Sequence, residues 1–257
     1  MNAQRRKSLA EKLDAAARNA RAIPQLSSEV DLTVDDAYAL QAASIERRLG
    51  RGEEMVGVKM GFTSRAKMVQ MGVSDVIWGR LTSGMRVEDG GTVDVSMRIH
   101  PRIEPEVAFL LGARLSGPVS PAEAALAVSA VAPAMEIIDS RYEAFKFSLP
   151  DVIADNASAS GFVVGPWSDP KIDLSNLGMV MEVDGRAVQI GSSAAILGHP
   201  LRSLAAASRL AAEQELELEP GWIVLAGGAT AAVPFEPDRH VRLVAEGLGQ
   251  VQLSTRS

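Results

Sequence analysis

The sequence predicts an α+β fold in which a small helical N-terminal lobe, residues 1–52, precedes a larger β-rich domain, residues 53–257. The first fifty residues are polar, alanine-rich and nearly free of β-branched runs, whereas from Met55 onward short apolar runs are separated by glycine and proline. In this second part the predicted strands outnumber the predicted helices and do not alternate with them regularly. That pattern favours an α+β fold over a doubly wound parallel sheet.

The N-terminal lobe contains two predicted helices. The first covers residues 3–22, where apolar residues recur at helical spacing. The second begins at Thr33, which precedes Asp36 with the spacing of a capping box, and it ends at Gly50. Its predicted apolar stripe consists of Tyr38, Ala42, Ile45 and Leu49.

The β-rich domain contains a series of apolar runs of strand length and two further helices. Asp184 and Gly185 stand between two such runs and predict a hairpin turn. Ser120, followed by a proline and a glutamate, predicts a capped helix, and His199 precedes a helix that extends to about residue 214. The predicted strands lie at residues 55–60, 103–111, 134–138, 178–183, 222–226 and 241–253.

The composition excludes several kinds of chemistry. The chain has no Cys and three His, so it lacks disulfides, Cys-ligated metal sites and a thiol nucleophile. Its formal net charge of −6 argues against a broad surface for nucleic acid or acidic membrane. No apolar targeting segment follows the basic N-terminus, so we expect a cytoplasmic protein.

Three glutamates stand in an unusual environment. Glu104 and Glu106 alternate along a predicted strand and therefore share one face, and Glu136 lies within an apolar strand thirty residues later. Buried carboxylates need a partner or a metal ion, and hard oxygen ligands suit Mg²⁺ or Mn²⁺. Two alternatives remain open from the residues alone. The first pair can lie on a solvated sheet face, and Glu136 can form an internal ion pair with an arginine.

Other candidate residues are less specific. Lys59 lies in an apolar strand, where it can extend its amine to solvent or hydrogen-bond a developing oxyanion. The segment 154–161 is rich in small polar residues and fits a substrate-binding loop or a plain turn. Gly227 and Gly228 allow close approach of the backbone but also occur in simple tight turns.

Several motifs in order along the chain resemble the 2-oxopent-4-enoate hydratase/4-oxalocrotonate decarboxylase family, which belongs to the fumarylacetoacetase superfamily. The resemblance extends over nearly all of the chain after about residue 33. It is carried by Lys59–Ser64, Ala66–Met68, Gln70–Val73, His100–Glu106, Glu136–Tyr142, Phe145–Phe147, Ala154–Ser158, Leu197–Leu201 and Gly227–Pro234.

The resemblance implies a helical N-terminal lobe on a mixed β-roll and a divalent metal site. By resemblance, the metal ligands are Glu104, Glu106 and Glu136, the cation is Mg²⁺ with Mn²⁺ as an alternative, and Lys59 is the catalytic lysine that contacts the substrate. The expected substrate-binding residues are Ile77, Trp78, Asp155, Asn156, Ser158, Ser160 and Thr230.

Departures from the hydratase pattern indicate the branch of the family. Hydratases typically have an aspartate where this chain has Ile77, and isoleucine cannot transfer a proton. The resemblance therefore favours decarboxylation of 4-oxalocrotonate, a 2-oxo dicarboxylic acid, in meta-cleavage catabolism of aromatic compounds. A hydratase acting on 2-hydroxypenta-2,4-dienoate and an inactive structural partner of that hydratase are the alternatives. A homo-oligomer and a complex with the pathway hydratase are expected in addition.

Overall fold

The computed structural model describes residues 1–64, 68–69 and 75–257. The described elements comprise an N-terminal pair of helices and two mixed β-sheets with further short helices, which agrees with the predicted α+β class. In this part of the chain no helix is long and apolar enough to cross a membrane.

The N-terminal segment contains two helices, α1 (Ala3–Arg18) and α2 (Val34–Leu49), and they pack against each other. The predicted cap of α2 is confirmed, because the Thr33 hydroxyl accepts a hydrogen bond from the Asp36 N–H at 3.1 Å. The prediction that α1 extends to residue 22 is wrong. The helix stops earlier, where Ala20 adopts a left-handed backbone with φ of 47°.

The larger sheet has eight described strands, β1 (Met55–Gly61), β2 (Ile77–Thr82), β3 (Arg86–Val87), β5 (Arg102–Leu111), β6 (Val128–Ile138), β7 (Ala159–Val164), β10 (Ile223–Leu225) and β11 (Val233–Pro234). Seven of them follow the order β2-β1-β10-β5-β6-β7-β3, and the eighth, β11, shares with β10 one edge of β5. The pairs β1–β10 and β3–β7 are parallel and the other pairs are antiparallel.

The smaller sheet has five described strands, β4 (Thr92–Asp94), β8 (Gly178–Val183), β9 (Arg186–Ser192), β12 (His240–Ala245) and β13 (Gly249–Arg256). Their order is β4-β13-β12-β8-β9, and β12 and β13 pack against β6. The predicted hairpin is confirmed, since Asp184 and Gly185 join β8 to β9 in left-handed conformations with φ of 51° and 75°.

Of the elements that lie fully within the described residues, three shorter helices pack against the rest of the fold, and two of these three were predicted. Ser120 caps one as predicted and forms a capping box with Glu123, and the His199 ring caps another by accepting the Leu201 N–H at 3.1 Å. The helices are α3 (Pro121–Leu126), α4 (Leu149–Ala154) and α5 (Pro200–Ala212).

The elements that the sequence did not predict include α4, β2 and β7. All six residues of β2 are buried, because α2 and α5 cover the strand. A strand buried on both faces shows no alternation of polar and apolar residues, and Gly79 and Arg80 interrupt its apolar run. Burial by the two helices therefore keeps β2 in the sheet despite its weak local signal.

Candidate active site

The register of β5 and β6 brings the three glutamates together. Glu104 lies directly opposite Glu136 in the antiparallel pair, and Glu106 lies two residues further along the same face of β5. The exposed fractions are 6% for Glu104 and 0% for the other two. One carboxylate oxygen from each residue lies within 4.8 Å of the others. A solvated sheet face is therefore the wrong interpretation of the alternating pair.

Burial and mutual repulsion raise the pKa values of two of these carboxyl groups. Burial is the largest cause for Glu106, whose pKa lies well above its ordinary value, and the charges of Glu136 and Glu104 raise it further. Burial also raises the pKa of Glu136 to about 7, although the nearby Lys59 opposes that rise. Three carboxylates in this geometry require positive charge in order to remain ionised together.

Lys59 on β1 supplies part of that positive charge. Its Nζ lies 2.9 Å from Glu136 Oε2 and donates a hydrogen bond to the Ala157 carbonyl at 3.0 Å. The side chain is 2% exposed, so it does not extend its amine to solvent. Burial alone would lower the Lys59 pKa, but the carboxylates of Glu136, Glu104 and Glu106 outweigh it and raise that pKa. The buried ion pair of Glu136 is thus made with lysine and not with arginine.

The cluster fits a divalent cation. Within the described part of the chain, the buried Oε1 atoms of Glu106 and Glu136 have no hydrogen-bond donor. Glu106 Oε2 accepts the Gly227 N–H at 2.6 Å, so its other oxygen is the one left for a ligand. The three carboxylates form an all-oxygen donor set, which is the kind that Mg²⁺ and Mn²⁺ prefer.

The two glycines after β10 allow the backbone to approach this cluster. Gly227 has φ of 106°, a conformation that disfavours other residues, and it donates the hydrogen bond to Glu106. A Cβ atom on Gly228 would lie 2.5 Å from Glu104 Oε2. Any side chain at position 228 would therefore displace a carboxylate of the cluster.

The loop that follows α4 holds the carbonyl that Lys59 contacts. Asn156, Ala157 and Ser158 all adopt left-handed backbone conformations, with φ of 53°, 50° and 60°. The Asn156 side chain fastens this loop to β2, since its Oδ1 accepts the Arg80 N–H at 2.7 Å and its Nδ2 donates to the Arg80 carbonyl at 2.8 Å. This double hydrogen bond keeps the Ala157 carbonyl directed at Lys59.

Arg141 fastens the beginning of the same loop. Its guanidinium pairs with the Asp155 side chain and donates to the carbonyls of Asp139 and Ala159 at 2.6 and 3.0 Å. Burial raises the pKa of Asp155 to about 6, and the charge of Arg141 limits that rise. Asp155 therefore supports the loop from within the core.

A cavity of about 270 Å³ opens beside the cluster. Lys59 and Glu104 lie at one side of it, and aromatic and aliphatic side chains form much of the remaining wall. Among the described residues its lining consists of Lys59, Gly61, Phe62, Ile77, Arg102, Glu104, Ile138, Phe145, Phe147, Val152, Ala157, Ser158, Ala231 and Ala232.

The structure places two of the seven expected substrate-binding residues, Ile77 and Ser158, in this lining. Trp78 lies outside it, because the indole is 1% exposed and stacks on Tyr38 with ring centres 5.5 Å apart. Asp155 and Asn156 lie behind the wall, in the loop contacts described above.

The remaining two expected residues also lie outside the cavity lining. Ser160 is half-buried on β7. The Thr230 methyl group packs against Gly191 on β9, where an added Cβ would lie 2.5 Å from it.

Comparison with known proteins identifies the family. Residues 55–254 match the fumarylacetoacetate (FAA) hydrolase C-terminal family. The chain is 60% identical to a 4-oxalocrotonate decarboxylase from a Pseudomonas species, over 96% of each chain. The chain belongs to the fumarylacetoacetate hydrolase C-terminal family.

Two further relatives refine the comparison. A 2-keto-4-pentenoate hydratase from Paraburkholderia xenovorans (strain LB400) is 33% identical to this chain. The alignment covers 100% of this chain and 97% of the hydratase. A solved structure of the 4-oxalocrotonate decarboxylase from Pseudomonas putida G7, complexed with magnesium and adipate, aligns with a TM-score of 0.97 at 40% identity. It covers 99% of this chain, and this chain covers 98% of that structure. The predicted resemblance and the predicted β-roll of this family are therefore confirmed.

Sequence reasoning missed several residues that line or support the site in this chain. Arg102 lines the cavity two residues before Glu104, and the alternation that linked the glutamates would also have placed it on their face. Phe145 and Phe147 line it as well, and they were recognised only as part of the resemblance. The supporting role of Arg141 depends on contacts between distant segments, for which the sequence has no local signal.

Part of the resemblance lies outside the described residues. Ala66, Lys67 and the segment Gln70–Val73 belong to the motif that follows Lys59–Ser64.

Proposed function

We propose that this chain is a metal-dependent carboxy-lyase that converts 4-oxalocrotonate (2-oxohex-3-enedioate) to 2-hydroxypenta-2,4-dienoate and CO2 in meta-cleavage catabolism of aromatic compounds. The observation that carries this proposal is the buried cluster of Glu104, Glu106 and Glu136 with Lys59 beside an open cavity. The 60% identity to a 4-oxalocrotonate decarboxylase over 96% of the chain supports the same reaction.

The proposed cofactor is Mg²⁺, with Mn²⁺ as the alternative, held by the three glutamates. When bound, a divalent cation supplies Lewis-acid stabilisation of negative charge on the C1 carboxylate and C2 ketone oxygens of the substrate. Magnesium is present in the similar decarboxylase structure from Pseudomonas putida G7. The unpartnered oxygens of Glu106 and Glu136 are the ones that we expect to face the cation.

The reaction needs an electron sink, and the substrate carries its own. The bond between C5 and the departing carboxylate breaks, and its electron pair forms a C4–C5 double bond. The former C3–C4 double bond shifts to C2–C3, so negative charge appears on the C2 oxygen, which then takes a proton. No covalent cofactor is required by this electron count.

Lys59 is the proposed catalytic residue of this chain. Its ammonium is buried and held between Glu136 and the Ala157 carbonyl at the edge of the cavity. A positive charge fixed in a low-dielectric site stabilises a developing oxyanion without first having to reorganise. We therefore propose that Lys59 interacts with the C2 oxygen as charge develops there.

Ile77 is the residue that favours decarboxylation over hydration. It lines the cavity at the position where hydratases of the family typically have an aspartate. An isoleucine cannot activate water, and an apolar wall favours conversion of a carboxylate to neutral CO2. Trp78, Asp155, Asn156, Ser160 and Thr230 are proposed to act on the substrate only indirectly, through the walls and loops that they support.

The proposal is tested by product analysis. Purified protein with Mg²⁺ is incubated first with 2-oxohex-3-enedioate and then with 2-hydroxypenta-2,4-dienoate, while CO2 and the organic products are measured. We expect CO2 and the dienoate from the first substrate and no hydration of the second. Hydration of the dienoate without CO2 release would identify a hydratase. Absence of both reactions would favour the inactive-partner alternative.

A homo-oligomer, a complex with the pathway hydratase and a cytoplasmic location are also proposed. The similarity to both decarboxylases and hydratases supports a partnership between chains of related shape. Co-purification of this chain with a co-expressed hydratase would test the complex, with either chain alone as the control.

A further inference from the structure

We infer that Arg102 binds the carboxylate at the far end of the substrate and so makes the site selective for dicarboxylic acids. This inference rests on the proposed function, which supplies the other carboxylate near the metal ligands. Among the described residues that line the cavity, Arg102 and Lys59 are the cationic ones. Lys59 is already engaged by Glu136 and the Ala157 carbonyl, whereas the guanidinium of Arg102 is available.

The position of Arg102 on β5 sets its distance from the metal ligands. It lies two residues before Glu104, so both side chains leave the same face of the strand, about 7 Å apart at their Cα atoms. Opposite Arg102 on β6 lies Ile138, which also lines the cavity. A six-carbon diacid with one end at the glutamates can therefore extend along β5 and reach the guanidinium.

The contacts of Arg102 orient the guanidinium and leave its donors to solvent, because the residue is exposed. Its Cζ lies 4.5 Å from the ring centre of Phe145, which orients the guanidinium plane by a cation–π contact. Within the described residues the guanidinium makes no ion pair or hydrogen bond. Its N–H donors are therefore free to form a paired hydrogen bond with a carboxylate.

The aromatic support of Arg102 is itself organised. Phe145 lies between His100 and Phe147, with ring centres 5.2 and 5.8 Å away. Its backbone is left-handed, with φ of 56°, a conformation that phenylalanine rarely adopts. The strained turn brings the ring under Arg102, and the phenylalanines line the same cavity. An apolar wall beside the Arg102 guanidinium suits the carbon chain and the terminal carboxylate of a diacid.

The inference is tested by comparing two ligands of equal length. Adipate and hexanoate have the same carbon chain, but only adipate has a second carboxylate. Their dissociation constants are measured by calorimetry on the full chain with Mg²⁺, for the wild type, Arg102→Met and Lys146→Met. Lys146 is exposed and adjacent to Phe145 but is absent from the cavity lining, so it controls for loss of charge near the opening.

We expect the wild type to bind adipate more tightly than hexanoate. In Arg102→Met the ratio of the two affinities should fall about ten- to hundredfold, while the affinity for hexanoate stays unchanged. Arg102→Lys is expected to recover only part of it, because an ammonium lacks the paired donor geometry. Lys146→Met is expected to behave like the wild type. Equal affinities for the two acids in the wild type, or an unchanged preference in Arg102→Met, would overturn the inference.

The two proposals fail in different ways. If the wild type releases no CO2 but shows a preference for adipate that depends on Arg102, the diacid site stands and the decarboxylase proposal falls. If CO2 is released and Arg102→Met has the wild-type KM, decarboxylation stands and the role of Arg102 falls. If Arg102 binds the substrate, we expect the rise in KM of Arg102→Met to exceed any fall in its kcat.

Discussion

At the scale of single residues, the chemistry depends on charges that are costly to bury alone. Lys59 and Glu136 are both buried, and each limits the cost of burying the other. Among the residues that the structure describes, two oxygens of this arrangement, one on Glu106 and one on Glu136, have no hydrogen-bond donor. In the proposed reaction, metal binding and stabilisation of the oxyanion are separate tasks of neighbouring residues.

Replacing Lys59 separates those tasks. Lys59→Met keeps most of the side-chain volume but removes the charge, so we expect kcat to fall about a hundredfold or more. Mg²⁺ affinity should stay the same or increase, because a competing cation has been removed. Steady-state kinetics and calorimetric Mg²⁺ titration measure the two effects. Lys171→Met, an exposed change, serves as the control. An unchanged kcat in Lys59→Met would contradict the catalytic role.

At the scale of elements, the loop after α4 determines where Lys59 can lie. Three consecutive left-handed residues other than glycine each cost about 1–2 kcal/mol. Asn156 and Arg141 offset this cost with buried hydrogen bonds to β2 and to the carbonyls at the loop ends. The loop is therefore a strained support that depends on side chains outside the cavity.

Replacing Asn156 should weaken both stability and activity. Asn156→Ala leaves the Arg80 N–H and carbonyl without their buried partner, which we expect to cost about 2–4 kcal/mol in the free energy of unfolding. Because the Ala157 carbonyl is released, kcat should also fall. Urea unfolding and kinetics measure these effects, and Asn176→Ala, an exposed change, is the control. A stability loss no larger than that of the control would show that the amide does not hold the loop.

At the scale of the whole molecule, a buried carboxylate joins the two helices of the N-terminal lobe. Asp14 on α1 lies 2.7 Å from Arg51 and 3.1 Å from Arg47, and its side chain is 4% exposed. Burial alone would raise the pKa of Asp14, but hydrogen bonds and charges from Arg51 and Arg47 lower it below 3.8. The lobe is therefore held by an ion pair whose strength depends on pH.

Asp14→Asn tests this link. A carboxylate with a lowered pKa stabilises the folded state above its unfolded pKa of about 3.8, and this contribution disappears as pH falls through the folded pKa. At neutral pH we expect a loss of about 1–2 kcal/mol in the free energy of unfolding, since both arginines are partly exposed. The difference from the wild type should shrink as pH falls below about 4.

Urea unfolding over this pH range provides the measurement. Glu11→Gln is the matched control, because Glu11 is on the same helix and pairs with Arg47 at 3.5 Å but is 61% exposed. It should cost no more than about 1 kcal/mol. A loss in Asp14→Asn that stays constant with pH would argue against a charge-based link.

Much of the overall architecture could be predicted because its signals are local. Thr33 and Ser120 cap helices as their spacing predicts, and Asp184 with Gly185 forms the expected hairpin. The strand β2 could not be predicted, because its place in the sheet depends on burial by α2 and α5. Local patterns report a strand with one solvated face better than one that is covered on both faces.

Less of the candidate site could be predicted from local patterns, because its residues come from distant parts of the chain. Alternation predicted that Glu104 and Glu106 share a face. Their meeting with Glu136 depends on the register of β5 and β6, which was not predicted, and the resemblance alone implied the full set of three ligands. Trp78 was expected at the substrate and instead lies in the core against Tyr38. Side chains such as Asn156 act through tertiary contacts, which residue type alone cannot distinguish from substrate binding.

The most direct test of the central claim is the metal dependence of CO2 release. Chelator-treated protein is titrated with Mg²⁺ in the presence of 2-oxohex-3-enedioate, alongside Glu106→Gln and the exposed control Glu11→Gln. We predict that CO2 release by the wild type and the control rises with Mg²⁺ from background to saturation. Glu106→Gln should need far more Mg²⁺ or show no turnover. CO2 release by the metal-free wild type, or wild-type Mg²⁺ dependence in Glu106→Gln, would contradict the account.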